Sequence, residues 1–155
     1  MLDRSVLAPV ALLSLLVCPP VACGQSAHDM DEAVRHALEL LPIRPARVEI
    51  VDMAAATKLL RDHLQHVDAF VTTGVRIVYL KKQGTSLQQA IKGPRFYEYV
   101  LAGTIWHEIA HIEGSDERGA QRAEQQLWRT FMLQGRVEMV AATRYLALLS
   151  QQAPR

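Results

Sequence analysis

The chain has 155 residues and a formal net charge of +1, with 17 basic and 16 acidic side chains. Because the basic residues form no run, nucleic acids and anionic membrane surfaces are not expected partners. Both cysteines, Cys18 and Cys23, lie near the N terminus. If this N-terminal segment is removed, the remaining chain can form neither a disulfide nor a thiolate metal site, so any metal would be bound by histidine and carboxylate groups.

Residues 1–24 have the pattern of a secretory signal peptide. Arg4 precedes an apolar stretch over residues 6–17, and the small residues 21–24 follow it. At about 1.5 Å of rise per helical residue, that stretch is too short to cross a hydrocarbon core of about 30 Å. The sequence therefore predicts an exported protein, periplasmic or secreted, whose residues 25–155 form a single domain without a transmembrane span.

Two alternatives for this N-terminal segment stay open. The apolar stretch is also compatible with a short membrane anchor. In addition, Ala22 and Cys23 resemble the end of a bacterial lipobox, although Pro20 stands where that pattern has leucine. The lipobox resemblance implies a lipoprotein attached to the membrane through Cys23.

The first half of the predicted domain alternates between helices and strands. Apolar residues repeat with a helical period in residues 29–41 and again in residues 54–71. Residues 47–51 alternate as a short strand, and residues 75–80 are the most strand-like segment because β-branched and aromatic side chains dominate them. Two helices and two strands are therefore expected here.

The second half of the domain is predicted to be helical. The expected helices cover residues 87–91, residues 96–112, a segment that ends near residue 133, and a segment after Gly135. Gly114 is expected to end the second of these helices, and Ser115 or Asp116 is expected to cap the next one. With few strands and many helices, the predicted fold class is α+β.

The most informative residues are His107, Glu108 and His111, which form the motif H-E-x-x-H. On a helix the two histidines share one face, so two imidazole nitrogens can bind one Zn²⁺ at about 2.0–2.1 Å each. Glu108 lies about 100° around the helix from His107, given about 3.6 residues per turn. It is therefore outside the ligand set but can reach a water bound to the metal.

A catalytic zinc usually has a third protein ligand. The helix predicted after Gly114 has one amphipathic face, made of Glu117, Ala120, Glu124, Leu127 and Phe131. Carboxylates on such a face must be neutralised, paired or bound to a cation, because burying an unpaired charge is costly. Gly114 can supply a left-handed turn that brings Glu117 back towards the motif, so Glu117 is predicted as the third ligand.

The other acid on this face, Glu124, is predicted to hold an imidazole N–H from outside the ligand shell. Two alternatives remain. Glu124 is itself the third ligand in place of Glu117, or both acids pair with nearby bases such as Arg118 and Arg122.

The motif at residues 107–111, taken with Glu117 and Ala120, resembles the zincin metallopeptidases of the gluzincin type. In that family the third zinc ligand is a glutamate on a second helix, often followed by a small residue three positions on. The short connection is instead similar to metzincins, in which H-E-x-x-H-x-x-G precedes a ligand three residues later. Gly114 and Glu117 occupy those two positions, although metzincins have histidine or aspartate at the second. The resemblance covers residues 96–131 and implies a small, mostly helical, zincin-like domain.

These observations predict a zinc metallopeptidase that acts on a peptide or protein in the cell envelope. Zn²⁺ bound by His107, His111 and Glu117 would polarise a water, and Glu108 would act as the general base. The strand predicted at residues 75–80, if it is a sheet edge, would hold the substrate in extended form. The side chains left open as donors to the oxyanion of the reaction are Tyr97, Tyr99, Arg144 and Tyr145.

Two other functions are compatible with the sequence. The first is a non-catalytic, exported envelope protein that keeps the zincin fold and binds zinc. The second is a metal-free helical protein in which the motif occurs by chance. Measuring the metal content distinguishes the metal-free protein from the predicted metallopeptidase. A Glu108→Gln variant distinguishes the non-catalytic zinc protein from it.

Overall fold

The structure, a computed structural model, describes residues 27–44, 47–72 and 74–151. The predicted signal peptide, with both cysteines, lies outside the described residues. Within the described ranges, no helix combines the length and the apolar character that crossing a bilayer requires.

Six helices and a three-stranded sheet form the described part of the chain, which confirms the predicted α+β class. In chain order the elements are α1 (Ala27–Glu39), β1 (Arg47–Val51), α2 (Lys58–Leu64), β2 (Ala69–Val71), β3 (Ile77–Lys81), α3 (Thr85–Lys92), α4 (Phe96–Ile112), α5 (Glu117–Leu133) and α6 (Met139–Gln151). The strand order is β1-β3-β2, with β1 parallel and β2 antiparallel to β3. The helix predicted at residues 96–112 agrees with α4 at both ends.

The helix predicted over residues 54–71 is wrong at both ends, because α2 is shorter and the last predicted turn is strand β2. Phe70 of β2 pairs with Tyr79 of β3, and their rings stack with centroids 5.0 Å apart. These aromatic residues fit a pleated sheet, and their pairing across the sheet overrides the local helical period. Val67, an apolar residue within the predicted helix, is 45% exposed.

The strand predicted at residues 75–80 is found as β3, but it is not a sheet edge. β3 pairs with β1 on one side and with β2 on the other, and its Val78 and Leu80 are fully buried. The expectation that this strand holds an extended substrate is therefore wrong, because both of its hydrogen-bonding edges are used. The edge strands of the sheet are β1 and β2.

Helix α4 lies at the centre of the domain and contacts α1, α3, α5, β2 and β3. Apolar side chains occupy most of its circumference, as expected of a helix with neighbours on several sides. Leu101 and Ile105 are fully buried and belong to the same core cluster as Trp128 and Phe131 of α5. Because the H-E-x-x-H residues lie on the last turns of α4, this core fixes the backbone from which they project.

Candidate metal centre

A tight turn joins α4 to α5 and brings the start of α5 back to the motif. Gly114 has a φ of +91°, in the left-handed region that favours glycine, as the sequence predicts. The amide of Ser115 donates to the carbonyl of Ala110 at 2.9 Å, which closes the turn. Asp116 then caps α5, because its carboxylate accepts a hydrogen bond from the amide of Gly119 at 2.7 Å.

Three candidate ligand groups meet where this turn faces the motif helix. The Nε2 atoms of His107 and His111 lie 3.2 Å apart. Glu117, the first residue of α5, has one carboxylate oxygen 3.4 Å from Nε2 of His107 and the other 3.3 Å from Nε2 of His111. In a tetrahedral zinc site with bonds of about 2.0–2.1 Å, ligand atoms lie about 3.3 Å apart. The two nitrogens, and the Glu117 oxygen beside each of them, therefore have separations close to those between the ligand atoms of such a site.

The opposite nitrogens of the two imidazoles have partners of their own. Nδ1 of His111 lies 2.9 Å from the carbonyl oxygen of Ser115, and Nδ1 of His107 lies 3.3 Å from a carboxylate oxygen of Glu124. A carbonyl and a carboxylate only accept hydrogen bonds, so these contacts favour a proton on each Nδ1, and Nε2 of a neutral ring then presents a lone pair. Two lone pairs and a carboxylate thus face one another at short range, an arrangement that a cation stabilises.

Glu124 lies on the far side of the His107 ring from the group of candidate ligands. Only 4% of this residue is exposed. Its second carboxylate oxygen accepts a hydrogen bond from the hydroxyl of Tyr145 at 3.2 Å. Among the described residues, the hydrogen bonds and ion pairs of Glu124 go to His107 and Tyr145, and not to Arg118 or Arg122. From this position Glu124 can orient the His107 ring, whereas it is poorly placed to bind the same metal ion.

The electrostatic setting of His107 agrees with this arrangement. Burial opposes a positive charge on the ring, but a hydrogen bond to Glu124 and the negative charges of Glu124, Glu108 and Glu117 outweigh it. Together they raise the pKa of His107 above its usual value. The surroundings of the ring therefore favour positive charge, whether it is carried by a proton or by a metal ion.

Glu108 is buried next to the candidate ligands and lines the same cleft. Burial raises the pKa of Glu108, and the neighbouring His107 and His111 oppose that increase. A carboxyl group whose pKa is raised is better matched to taking up and releasing a proton near neutral pH. Glu108 thus has the position and the environment of a general base.

The site opens into a cleft of about 1050 Å³. Its lining includes the motif residues of α4, the first residue of α5, all three residues of β2 and the connection between β2 and β3. His63 and His66, near the end of α2, also line the cleft, but they are not members of the candidate ligand group. The cleft therefore lies between the motif helix and an edge strand of the sheet.

Of the four candidates for an oxyanion donor, Tyr145 is the one that lines this cleft. Its hydroxyl already donates to Glu124. Burial, reinforced by the charge of Glu124, raises the pKa of Tyr145 well above its usual value, so the hydroxyl stays protonated and donates. Tyr99 is buried against the ring of Phe131 at 4.9 Å and belongs to the core. None of these side chains is therefore assigned to an oxyanion.

Sequence reasoning missed two contacts in this site. One is the hydrogen bond from Tyr145 to Glu124, and the other is the contact between His111 and the carbonyl of Ser115. Both join groups that only the tertiary structure brings together. The one available signal was the acid at position 124 among the apolar residues of its helix face, which indicates buried partners but does not point to Tyr145.

Comparisons with protein-family models, curated protein sequences and solved structures gave no significant match. The likeness to zincins therefore depends on the motif and on the residues around it.

Proposed function

We propose that this protein is an exported, zinc-dependent metallopeptidase with a zincin-like fold. His107, His111 and Glu117 hold the zinc, and Glu108 is the general base. The observation that supports this most strongly is the cluster of three side chains in which the two Nε2 atoms lie 3.2 Å apart and a Glu117 oxygen lies 3.3–3.4 Å from each of them. Three protein ligands leave a fourth position for water or substrate, as catalytic zinc requires.

When bound, zinc polarises a water and lowers its pKa towards about 7. Glu108 accepts a proton from the attacking water and then donates it to the leaving amine. Its burial favours the protonated carboxylic acid between these two steps. Glu124 and the carbonyl of Ser115 meanwhile keep the imidazole protons on Nδ1, which holds both rings in the orientation that metal binding needs.

Strand β2, and not the central β3, is the proposed binding edge for the substrate. Ala69, Phe70 and Val71 line the same cleft as His107 and His111. β2 is terminal in the sheet, so among the described residues one side of its backbone pairs with no other strand. An extended peptide can add to such an edge through main-chain hydrogen bonds. The proposed substrate is therefore an extended peptide or an unfolded segment of a protein.

The test combines metal analysis with a peptide library. Protein spanning residues 25–155 is assayed for metal by elemental analysis, and then against quenched fluorescent peptides before and after chelation. We expect one zinc per chain and hydrolysis that chelation abolishes and added zinc restores. Bound zinc without any hydrolysis would instead indicate the non-catalytic envelope protein. A chain that binds no zinc would indicate that the motif occurs by chance.

Export is tested separately by fractionating cells that make the full-length chain. We expect the protein in the periplasm or the medium, shortened near Cys23 or Gly24. A Cys23→Ser variant that releases the protein from the membrane would indicate lipidation. Full-length protein in the cytosol would contradict the signal peptide.

A further inference from the structure

Helix α6 reaches the candidate metal centre through one hydroxyl group. The hydroxyl of Tyr145 donates to one carboxylate oxygen of Glu124 at 3.2 Å, and the other oxygen lies 3.3 Å from Nδ1 of His107. The Tyr145 ring packs against Trp128 with centroids 4.5 Å apart and meets the edge of Phe96 at 6.4 Å. The ring is therefore held by the core, while its hydroxyl points at the carboxylate that orients a candidate ligand.

Gly103 of α4 makes room for this arrangement. A Cβ atom at position 103 would lie 2.9 Å from Nε1 of Trp128 and 3.1 Å from a carboxylate oxygen of Glu124. Any larger residue would push these two side chains of α5 away from α4. Two side chains of α5 therefore approach the backbone of α4 closely at this glycine. Three helices, α4, α5 and α6, thus converge on the Glu124 carboxylate.

We propose that Tyr145 is a positioning residue of the metal centre. Its hydroxyl fixes the Glu124 carboxylate, and this carboxylate in turn holds the proton of His107 on Nδ1, so that Nε2 remains the ligand atom. The proposal rests on the zinc centre proposed above, but not on peptidase activity.

The physical reason lies in the two tautomers of a neutral imidazole. Only the tautomer with its proton on Nδ1 presents Nε2 to a metal, and an acceptor beside Nδ1 selects it. A carboxylate that loses one of its two donors is less fixed and leaves a buried oxygen unsatisfied. Without the Tyr145 hydroxyl, Glu124 therefore rotates more freely, and the tautomer and ring orientation of His107 become less well defined.

The test is the Tyr145→Phe variant, which keeps the aromatic ring and its packing. We expect zinc affinity, measured by competition with a chelator, to fall about tenfold, at the lower end of the 10–100-fold range for groups outside the ligand shell. The visible spectrum of the cobalt-substituted protein should change as well, because it reports the orientation of the ligands. A Tyr99→Phe variant is the matched control, since Tyr99 is buried against Phe131 and is not among the described hydrogen-bond partners of Glu124. It should leave both measurements unchanged.

A double-mutant cycle separates positioning from a general effect on the fold. If Tyr145 acts through Glu124, then Tyr145→Phe should weaken zinc binding little further in a Glu124→Gln background. Nitrogen NMR of the metal-free chain, recorded at alkaline pH where the imidazole is neutral, provides a readout without zinc: His107 should carry its proton on Nδ1 in the wild type and exchange between tautomers in Tyr145→Phe. The proposal would be overturned if the losses of zinc affinity in Tyr145→Phe and Glu124→Gln were additive. It would also be overturned if Tyr145→Phe changed neither the zinc affinity nor the tautomer of His107. Bound zinc without peptide hydrolysis would overturn only the proposed function.

Discussion

Glu117 and Glu124 lie two turns apart on α5 and face opposite nitrogens of the same imidazole. A carboxylate oxygen of Glu117 is 3.4 Å from Nε2 of His107, and a carboxylate oxygen of Glu124 is 3.3 Å from Nδ1. Residues two turns apart share a helix face, so one helix can supply both a ligand and the group that orients the neighbouring ligand. This division of roles makes the two glutamates distinguishable by experiment.

Replacing Glu117 by alanine should weaken zinc binding much more than replacing Glu124. Glu117→Ala removes a proposed ligand, whereas Glu124→Ala removes an orienting group, whose loss costs about 10–100-fold in affinity. Zinc dissociation constants of the two variants, measured with the same competing chelator, check this order. The reverse order would make Glu124 the third ligand, and no effect in either variant would contradict the zinc centre.

Either His107→Ala or His111→Ala should abolish stable zinc binding, because two remaining ligands hold zinc poorly. The expected loss exceeds the roughly 100-fold that an orienting group can account for. His66→Ala is a suitable control, since His66 lines the same cleft without belonging to the ligand group. Elemental analysis after gel filtration gives the occupancy. Full occupancy in His107→Ala would contradict the assignment of this ligand.

Glu108→Gln should keep zinc and lose peptide hydrolysis. Glutamine preserves the shape of the side chain but cannot accept the proton, and general base catalysis typically contributes about 10²–10⁴-fold. Glu113→Gln is the matched control, because Glu113 follows the same helix, is exposed and pairs with Arg76 at 2.6 Å. Values of kcat/KM and zinc content are measured together. Wild-type activity in Glu108→Gln would show that another group is the base.

Asp52 should make the stability of the fold sensitive to acid. Hydrogen bonds from Lys82, from the Ala54 amide and from Gln83 lower the pKa of Asp52 from 3.8 to about 2. Because the pKa is lower in the folded state, Asp52 stabilises the fold above about pH 4, and this contribution is lost as the pH falls towards 2. Asp52→Asn should therefore be less stable than wild type at pH 6, with the difference shrinking below pH 4.

Urea unfolding of both proteins across this pH range measures that difference. Asp62→Asn, which breaks an exposed pair with Lys58 within α2, should change stability less at every pH. The difference in unfolding free energy between Asp52→Asn and wild type must change between the pKa values of Asp52 in the unfolded and the folded state. A difference that is constant from pH 6 to about pH 2 would therefore contradict the role of Asp52.

Short-range signals were sufficient to predict the connection between the motif and its third candidate ligand. Gly114 ends the motif helix with a positive φ, and Asp116 caps the next helix as its side chain suggests. Both are properties of a few neighbouring residues, so they can be inferred from the chain alone. The grouping of His107, His111 and Glu117 follows from that turn.

Strand β2 and the role of Tyr145 could not be inferred in this way. Residues 69–71 satisfy a helical period, and only pairing with β3 makes them a strand. Likewise, Tyr145 is one of several tyrosines until α6 packs against α5 and directs its hydroxyl to Glu124. Contacts between residues distant in the chain determine both features, and no local pattern encodes them.

The three candidate ligands are separated by few residues in the sequence, which affects the entropy cost of bringing them together. His107, His111 and Glu117 all belong to one helical hairpin, so the chain entropy lost in assembling them is small. The parallel pairing of β1 with β3 closes a much longer loop and belongs to the slower events of folding. A metal ion bound at the proposed centre would therefore stabilise the hairpin of α4 and α5 without depending on contacts in the sheet.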